Sequence, residues 1–458
     1  MPDVPAATTP APAVDRSPGR AAALVPPFGP LAGVRVVDSG RFVAGPWAAT
    51  YLGEFGAEVV HVERPPFHRP FADPTRSLPP LLPVGAPPER QVSESWVQYG
   101  RNKLSVGIDP ARPEGRELLL ELLAASDLWI ESSRPGTYDR LGLSDEVVRA
   151  RCPALTVVHV SGYGRSGDPD RIRAPSYDLT AQAFSGFLAI QGDPAPAPPM
   201  RAGTALNDTV TGLAAAAAGL MGLLAARRTG RGQVVDVAQY EVFFTLLENM
   251  ALDFFARGVV RGRHGNAHAR LHPYDLYRAR DGFVVLAAPT PESWRRVADL
   301  IGANDPRWDD MAYRTAHRAE VDRAIGSWVG ARTVRELEAI GRAHDTALSG
   351  IFDMAAIADD PHYRARGMFL SWEDPVAGPV TGAGIAPRFS DTPGAVWRGA
   401  PWLGQDNDAV LGGRLGHGPE ELRAWREAGI IGEDPPGRPG PDPAPPAGPA
   451  ASGAGAAP

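Results

Sequence analysis

The stretch GVRVVDSGRFVAGPWAATYLGEFGAEVVHVERP, residues 33–65, decides the fold. Residues 34–37 are an apolar run of strand length. Pro46 suits the first turn of a helix, where a missing N–H costs nothing. Gly56 suits the left-handed cap that ends one. Residues 58–63, EVVHVE, read as a second strand around a Val core. A strand, a helix and a strand so closely joined form a βαβ unit, and its two strands run parallel.

Outward from this unit the alternation continues. LSVGID (104–109) reads as a strand and RPEGRELLLELLAAS (112–126) as a helix with apolar residues at helical spacing. LWIES (128–132) and LTVVHVS (155–161) are strands. The pattern predicts an α/β chain with an open parallel sheet and helices on both faces. Helices are expected at 176–188, 208–226 and 237–257, with a strand in GQVVDV (232–237). From residue 265 the character changes. YDLYRARDGFVVLAA (274–288) is a hairpin with Asp281-Gly282 at its turn, followed by amphipathic helices at 291–302 and 332–344. This gives a large unit at 29–225, a linker helix at 226–264 and a smaller α+β domain at 265–345. Residues 346–432 return to short strands and two helices (408–415 and 419–430), and spacing alone does not assign them to a domain. Residues 1–28 and 433–458 are Pro/Ala/Gly tracts that cannot bury a core, and disorder is expected there.

The 458 residues are enough for two domains, and 43% hydrophobic with 22% charged content is that of an ordinary globular protein. A net charge of −7 gives no basis for a nucleic-acid or anionic-membrane surface. The N-terminal twenty residues lack the basic and apolar regions of a secretory signal. Residues 209–226 are mostly Ala and Gly, tightly bracketed by Asp208 and Arg227, so they read as a helix packed inside protein rather than a membrane span. The single cysteine, Cys152, excludes an internal disulfide and fits a reducing cytoplasm. It precedes Pro153 in an Arg-rich turn, poor ground for a thiol nucleophile.

Four features carry candidate chemistry. GYGRSG (162–167) matches a dinucleotide-phosphate loop in letters only. DPDRIRAP follows it instead of a helix, so it reads as a glycine loop at the carboxyl end of a strand, an edge where ligands bind. Arg101, Lys103, Arg134 and Arg140 lie beside strand ends, either to hold phosphates or as solvated charges. His264, His268 and His272 are spaced four apart, but Gly265 and Pro273 oppose a helix and no carboxylate pair accompanies them, which argues against a metal site. Asp208 heads the Ala/Gly-rich helix. It reads locally as an N-cap, and the helix end would keep its carboxylate ionised. An ionised carboxylate can also attack a thioester or a phosphate.

Several segments, in order, resemble the family III CoA-transferases. They are FGPLAGVRVV (28–37), IESSRPGTYDRLGL (130–143), VHVSGYGRSG (158–167), SYDLTAQAFSG (176–186), NDTVTGLAAAAAGLMGLL (207–224) and RGAPWLGQDNDAVL (398–411). The resemblance runs from about residue 28 to 431. FGPLAG, AQAFSG and PGAVWRGAPWLGQD are most similar to the carnitine-specific branch; formyl-CoA transferases and α-methylacyl-CoA racemases are more distant. The resemblance implies a Rossmann-like large domain built from N- and C-terminal parts, with 346–432 as the return, and a smaller domain between. It also implies two chains interlocked as a homodimer, with a coenzyme A thioester as substrate and no tightly bound cofactor.

It further implies roles. Asp208 stands where the family carries its nucleophile. Arg134 and Arg140 match CoA-binding positions, and Arg64, Asn102 and Lys103 match segments along the nucleotide. Val43 and Ala44 match backbone near the thioester, and Tyr177 and Asp178 match an active-site pair. The expected activity is CoA transfer between an acyl-CoA and a free acid, with carnitine-type substrates, through aspartyl anhydride and aspartyl-CoA thioester intermediates. The alternatives are a racemase or isomerase of the same fold and a non-catalytic CoA-binding protein. The racemases have His at the Tyr177 position, so this chain lacks their proton carrier. Only Gly262 and Gly265 stand where formyl-CoA transferases have a glycine run, which argues against oxalate and formate.

Overall fold

The computed structural model describes residues 22–65, 72–84 and 90–434. Six strands form its main sheet: β1 (Arg35–Asp38), β2 (Glu58–Glu63), β3 (Lys103–Gly107), β4 (Leu128–Glu131), β5 (Thr156–Ser161) and β6 (Val234–Ala238). Their spatial order is 3-2-1-4-5-6 and every neighbouring pair is parallel. The chain winds outward from β1 to β3, then returns to lay β4 on the other side of β1. The order therefore reverses between β1 and β4, and a crevice opens there at the carboxyl ends of the strands.

Both faces of the sheet are covered, so its strands are Val-rich and buried on both sides, with polar residues such as Asp38, His61 and Lys103 buried among them. Val36, Val59, Ile130 and Val158 face helices α1 (Ala44–Glu54) and α4 (Leu206–Thr229). Val37, Val60, Trp129 and Val157 face α2 (Pro113–Ala124). Gly56, just past α1, has φ +94°, and a Cβ there would lie 1.8 Å from the Phe28 carbonyl oxygen, so only glycine fits. Gly212 serves α4 in the same way. A Cβ on it would meet the Ala44 carbonyl and Trp47, each at 2.8 Å, so its absence lets α4 lie close on α1. Among the described residues α4 is the one helix long and apolar enough to cross a membrane. Its face of Thr211, Gly212, Ala215, Ala216 and Gly219 is buried in the protein.

Two expected helices are broken. The one predicted over 176–188 stops as α3 (Asp178–Phe184), before Gly186, and a separate turn, Phe187–Ile190, follows. The one predicted over 237–257 splits into α5 (Gln239–Thr245) and α6 (Met250–Arg257), with Glu248 at φ +51° between them. The break buries Leu247 against the Gly186 position, a tertiary contact that local helix propensity does not register. α4 begins at Leu206, with Ala205 as its N-cap, so Asp208 is the third helical residue and not the cap.

The small domain has strands β7 (Tyr274–Arg278), β8 (Phe283–Ala287) and β9 (Ala347–Gly350), paired antiparallel about β8. Helices Pro291–Ile301, Arg318–Gly330 and Val334–Ala343 pack on it through Trp294, Val321, Ile325, Val329 and Leu337. The boundary expected at 345 falls just before β9, a short ALSG segment whose strand character comes from pairing with β8.

Residues beyond 380 contact the large sheet. Ile108 bridges Ile431 antiparallel, and the Asp109 N–H donates to the Ile430 carbonyl at 2.8 Å. Val410, Leu411, Leu422 and Ile431 share one core with α2. At the other end of the chain, residues 22–28 do not follow the expectation of disorder. The Leu24 N–H donates to Glu58 at 2.6 Å and Val25 is buried in the core, because Glu58 offers that backbone an acceptor. The rest of the first tail, 1–21, and residues 435–458 of the second lie outside the described residues.

Candidate active site

A cavity of about 390 Å³ opens where the strand order reverses. Its walls begin with the segments that follow the carboxyl ends of three strands. After β1 come Arg41, Phe42, Val43 and Ala44; after β4, Ser132, Ser133, Arg134, Pro135 and Thr137; after β5, Gly162 and Tyr163. Tyr177, at the start of α3, and Asp208, in the first turn of α4, face it together with Gln239, which opens α5 directly after β6.

Asp208 is set by two neighbours. Gln239 Nε2 donates to Asp208 Oδ1 in a short hydrogen bond. Asp178 Oδ1 accepts the backbone N–H groups of Asn207 (2.7 Å) and Asp208 (3.1 Å), so Asp178 caps α4. Burial and the Asp178 charge push the Asp208 carboxyl up to about 7, against a smaller lowering from the Gln239 bond. This corrects the expectation that the helix end keeps Asp208 ionised: the N–H groups of that end are turned to Asp178 instead.

The other expected site residues divide into two groups. Val43, Ala44, Arg134 and Tyr177 line the cavity with Asp208. Tyr177 packs edge-on against Phe42, ring centroids 5.7 Å apart. Arg140 does not line the cavity itself but donates to Oγ1 of Thr137, which does, at 3.3 Å. The remaining three do not reach the cavity wall. Arg64 follows β2 and pairs with Asp109 at 2.9 Å. Asn102, fully buried at φ +61°, spends its amide on the carboxyl-terminal segment: Nδ2 donates to the Ala395 carbonyl (2.6 Å) and Oδ1 accepts the Trp397 N–H (2.8 Å). Lys103, also fully buried, donates to Asp38 Oδ2 (2.8 Å) and to the Pro46 carbonyl (2.9 Å). Arg101, beside them, is bound to Glu54. These side chains are spent on the fold, which removes Asn102 and Lys103 as direct contacts for the nucleotide in this arrangement.

Other candidates resolve in the same geometry. The glycine loop at 162–167 contributes Gly162 and Tyr163 to the cavity, and only the five-residue helix Pro169–Arg173 follows it. Cys152 is buried, its thiol pushed up to about 11 by burial. His268 Nδ1 accepts the N–H groups of Arg270 and Leu271, and among the described residues no group of three His, Cys, Asp or Glu is placed to hold a metal. Gln239 was not anticipated. Its signal is a polar side chain at the carboxyl end of a strand, but its partner lies 31 residues away.

A parallel α/β sheet with a half-buried, perturbed carboxylate at its switch point is a setting for covalent acyl chemistry. The family model for CoA-transferase family III matches residues 31–407, and the chain belongs to that family. It is a CoA-transferase, similar to enzymes named for defined substrates. It is 34% identical over 417 residues to the bile acid CoA-transferase BaiK of Clostridium scindens, covering 88% of this chain and 90% of that one. It is 35% identical over 407 residues to the succinyl-CoA–L-malate CoA-transferase alpha subunit of Chloroflexus aurantiacus, covering 88% and 92%. Among solved structures, a CAIB/BAIF family protein from Brucella suis superposes with a TM-score of 0.72 at 29% identity, over 84% of this chain and 98% of that one. Rv3272 from Mycobacterium tuberculosis gives 0.71 at 27%, over 83% and 99%.

Proposed function

We propose that the protein moves CoA between an acyl-CoA and a free carboxylic acid with Asp208 as covalent nucleophile. The observation that carries this reading is Asp208 itself: a carboxyl raised to about 7, bonded to Gln239, in the wall of the switch-point cavity. Its carboxylate adds to the donor thioester carbonyl and the C–S bond breaks, giving a mixed anhydride and a CoA thiolate. The thiolate attacks the aspartyl carbonyl, the donor acid leaves, and an aspartyl-CoA thioester remains. The acceptor carboxylate attacks that carbonyl and expels the thiolate, forming a second anhydride. The thiolate then takes the acceptor's acyl carbon and Asp208 departs as a carboxylate. One hard exchange becomes four attacks on activated carbonyls.

Two neighbours support the scheme. Val43 and Ala44 begin α1, whose first-turn N–H groups have no intrahelical acceptor. We assign these groups to the oxyanion that forms at each carbonyl. Arg134, exposed at the cavity wall, is assigned to the CoA phosphates, with Arg140 behind it. Proton shuttling at an α-carbon is disfavoured, because Tyr177 replaces the histidine and both Asp178 oxygens are occupied, one by α4 and one by Gln182 at 2.6 Å.

Carnitine-type acids remain the proposed substrates on the resemblance. The hydroxy-dicarboxylic acids and bile acids of the named relatives are the competing classes. Mass analysis of exchanged thioesters across such a panel decides among them. Exchange at near wild-type rate in folded Asp208→Ala would remove the covalent role. We also propose an interlocked homodimer, supported by Leu252, Phe255 and Val260, which are 72%, 85% and 81% exposed. A solution mass of twice 48.5 kDa is expected.

A further inference from the structure

The loop that leads into α1 is held by side chains. Three successive backbone N–H groups each donate to a different one: Gly40 to Asp38 Oδ1 (2.8 Å), Arg41 to Ser132 Oγ (2.8 Å) and Phe42 to Asp73 Oδ1 (3.1 Å). Phe42 has φ +63°, a left-handed conformation that a bulky residue adopts only under constraint. The next two residues, Val43 and Ala44, line the cavity beside Asp208.

Behind the loop lies a buried charge network. Asp38 Oδ2 meets Lys103 Nζ and His61 Nδ1, both at 2.8 Å, and Lys103 also binds the Pro46 carbonyl in the first turn of α1. The Asp73 N–H donates to Glu63 Oε1 at 2.8 Å, and Glu63 binds Arg76. The network thus grips the loop at Gly40 and Pro46 through Asp38 and Lys103, and at Phe42 through Asp73. Asp73 is 2% exposed, does not line the cavity, and reaches the site by its hydrogen bond to the Phe42 backbone.

We infer that Asp73 is a positioning residue for CoA transfer: by accepting the Phe42 N–H it locks the strained loop so that Val43 and Ala44 present their N–H groups to the carbonyl attacked by Asp208. The inference rests on the proposed role of Asp208. It makes the acceptor oxygen, and not the charge, the working part of Asp73. The other oxygen, Oδ2, is buried without a hydrogen-bond partner and comes no nearer than 3.9 Å to His61 Nε2, so an amide nitrogen in its place breaks no hydrogen bond.

The test compares Asp73→Ala, Asp73→Asn and Thr75→Ala in CoA exchange, with folding checked by thermal melting. Asp73→Ala is expected to lower kcat on the order of 10²-fold with KM for acyl-CoA changed less than about threefold. Asp73→Asn keeps the acceptor and should retain kcat within about fivefold of wild type. Thr75→Ala removes the hydroxyl that also donates to Asp73 Oδ1, spares the Phe42 bond, and should leave kcat near wild type. The inference is overturned by a folded Asp73→Ala with kcat within about threefold, by a loss carried by KM, by Asn no better than Ala, or by Thr75→Ala as slow as Asp73→Ala. Should Asp73→Ala not fold, Ser132→Ala removes the neighbouring anchor on Arg41 and must show the same kcat loss at constant KM; unchanged kcat there is equally fatal. Asp208→Ala separates the two ideas. Exchange surviving in that variant ends the covalent reading itself, whereas a dead Asp208→Ala beside an unaffected Asp73→Ala ends only this inference.

Discussion

One oxygen of Asp178 accepts the backbone N–H groups of both Asn207 and Asp208, so one carboxylate caps the helix that carries the other. The cap takes the positive end of α4 for itself and sets a negative charge beside Asp208. Burial and this like charge both favour the protonated Asp208 carboxyl, which titrates at about 7.

The reaction requires the carboxylate, so kcat/KM for acyl-CoA should rise with pH, reach half its plateau near 7 and level off above it. A profile that is flat from about pH 5.5 to 8.5 would contradict this assignment.

Replacing Asp178 by Asn keeps an acceptor for the helix N–H groups and removes the charge. The rising limb of that profile should move to lower pH. Gln239→Leu removes a bond that lowers the Asp208 value, so its limb should move to higher pH. Shifts in the same direction for both variants would show that the two neighbours do not act as described.

Stability carries the same signature. A carboxyl whose folded value lies above its unfolded one stabilises the fold fully at low pH, and that contribution is lost as pH rises towards 7. Asp208→Asn should therefore be more stable than wild type at pH 8, by up to a few kcal/mol, with the gain shrinking as pH falls to 4. Thermal melts of both proteins at the two pH values measure it, and an equal difference at both opposes it.

Lys103 and Asp38 form a buried pair with no exposure. Lys103→Met leaves the Asp38 charge without its cation, at a cost of about 3–5 kcal/mol. Denaturant unfolding should show that loss. A variant of normal stability whose KM for CoA thioesters rises would instead return Lys103 to the nucleotide.

Much of the sheet was legible because its signals are local. The Val-rich runs at 34–37 and 58–63, Pro46 and Gly56 lie within one short stretch and specify one βαβ unit. The position of Asp208 at the cavity wall was legible through its motif. What escaped depends on partners distant in sequence. Asn102 and Lys103 sit at a strand end, where basic and amide groups often meet ligands, but their partners Trp397 and Asp38 lie 295 and 65 residues away. Which way a side chain turns at a strand end is decided by such neighbours. The break between α5 and α6 is similar: FFTLLENMALDFF contains no breaker, and the turn exists because Leu247 finds a tertiary pocket.

The bridge between Ile108 and Ile431 sets a schedule for synthesis. On the ribosome the N-terminal strands emerge first and give α2 Val37, Val60, Trp129 and Val157 to pack on, yet the part of that core made by Val410, Leu411 and Ile431 is translated last. The small domain, whose β7 to β9 pair among themselves, can close while the large domain still waits. A nascent chain of this enzyme therefore leaves Ile108 and the place of Val410 and Leu411 uncovered for most of its elongation, and that is the surface a chaperone would have to shelter.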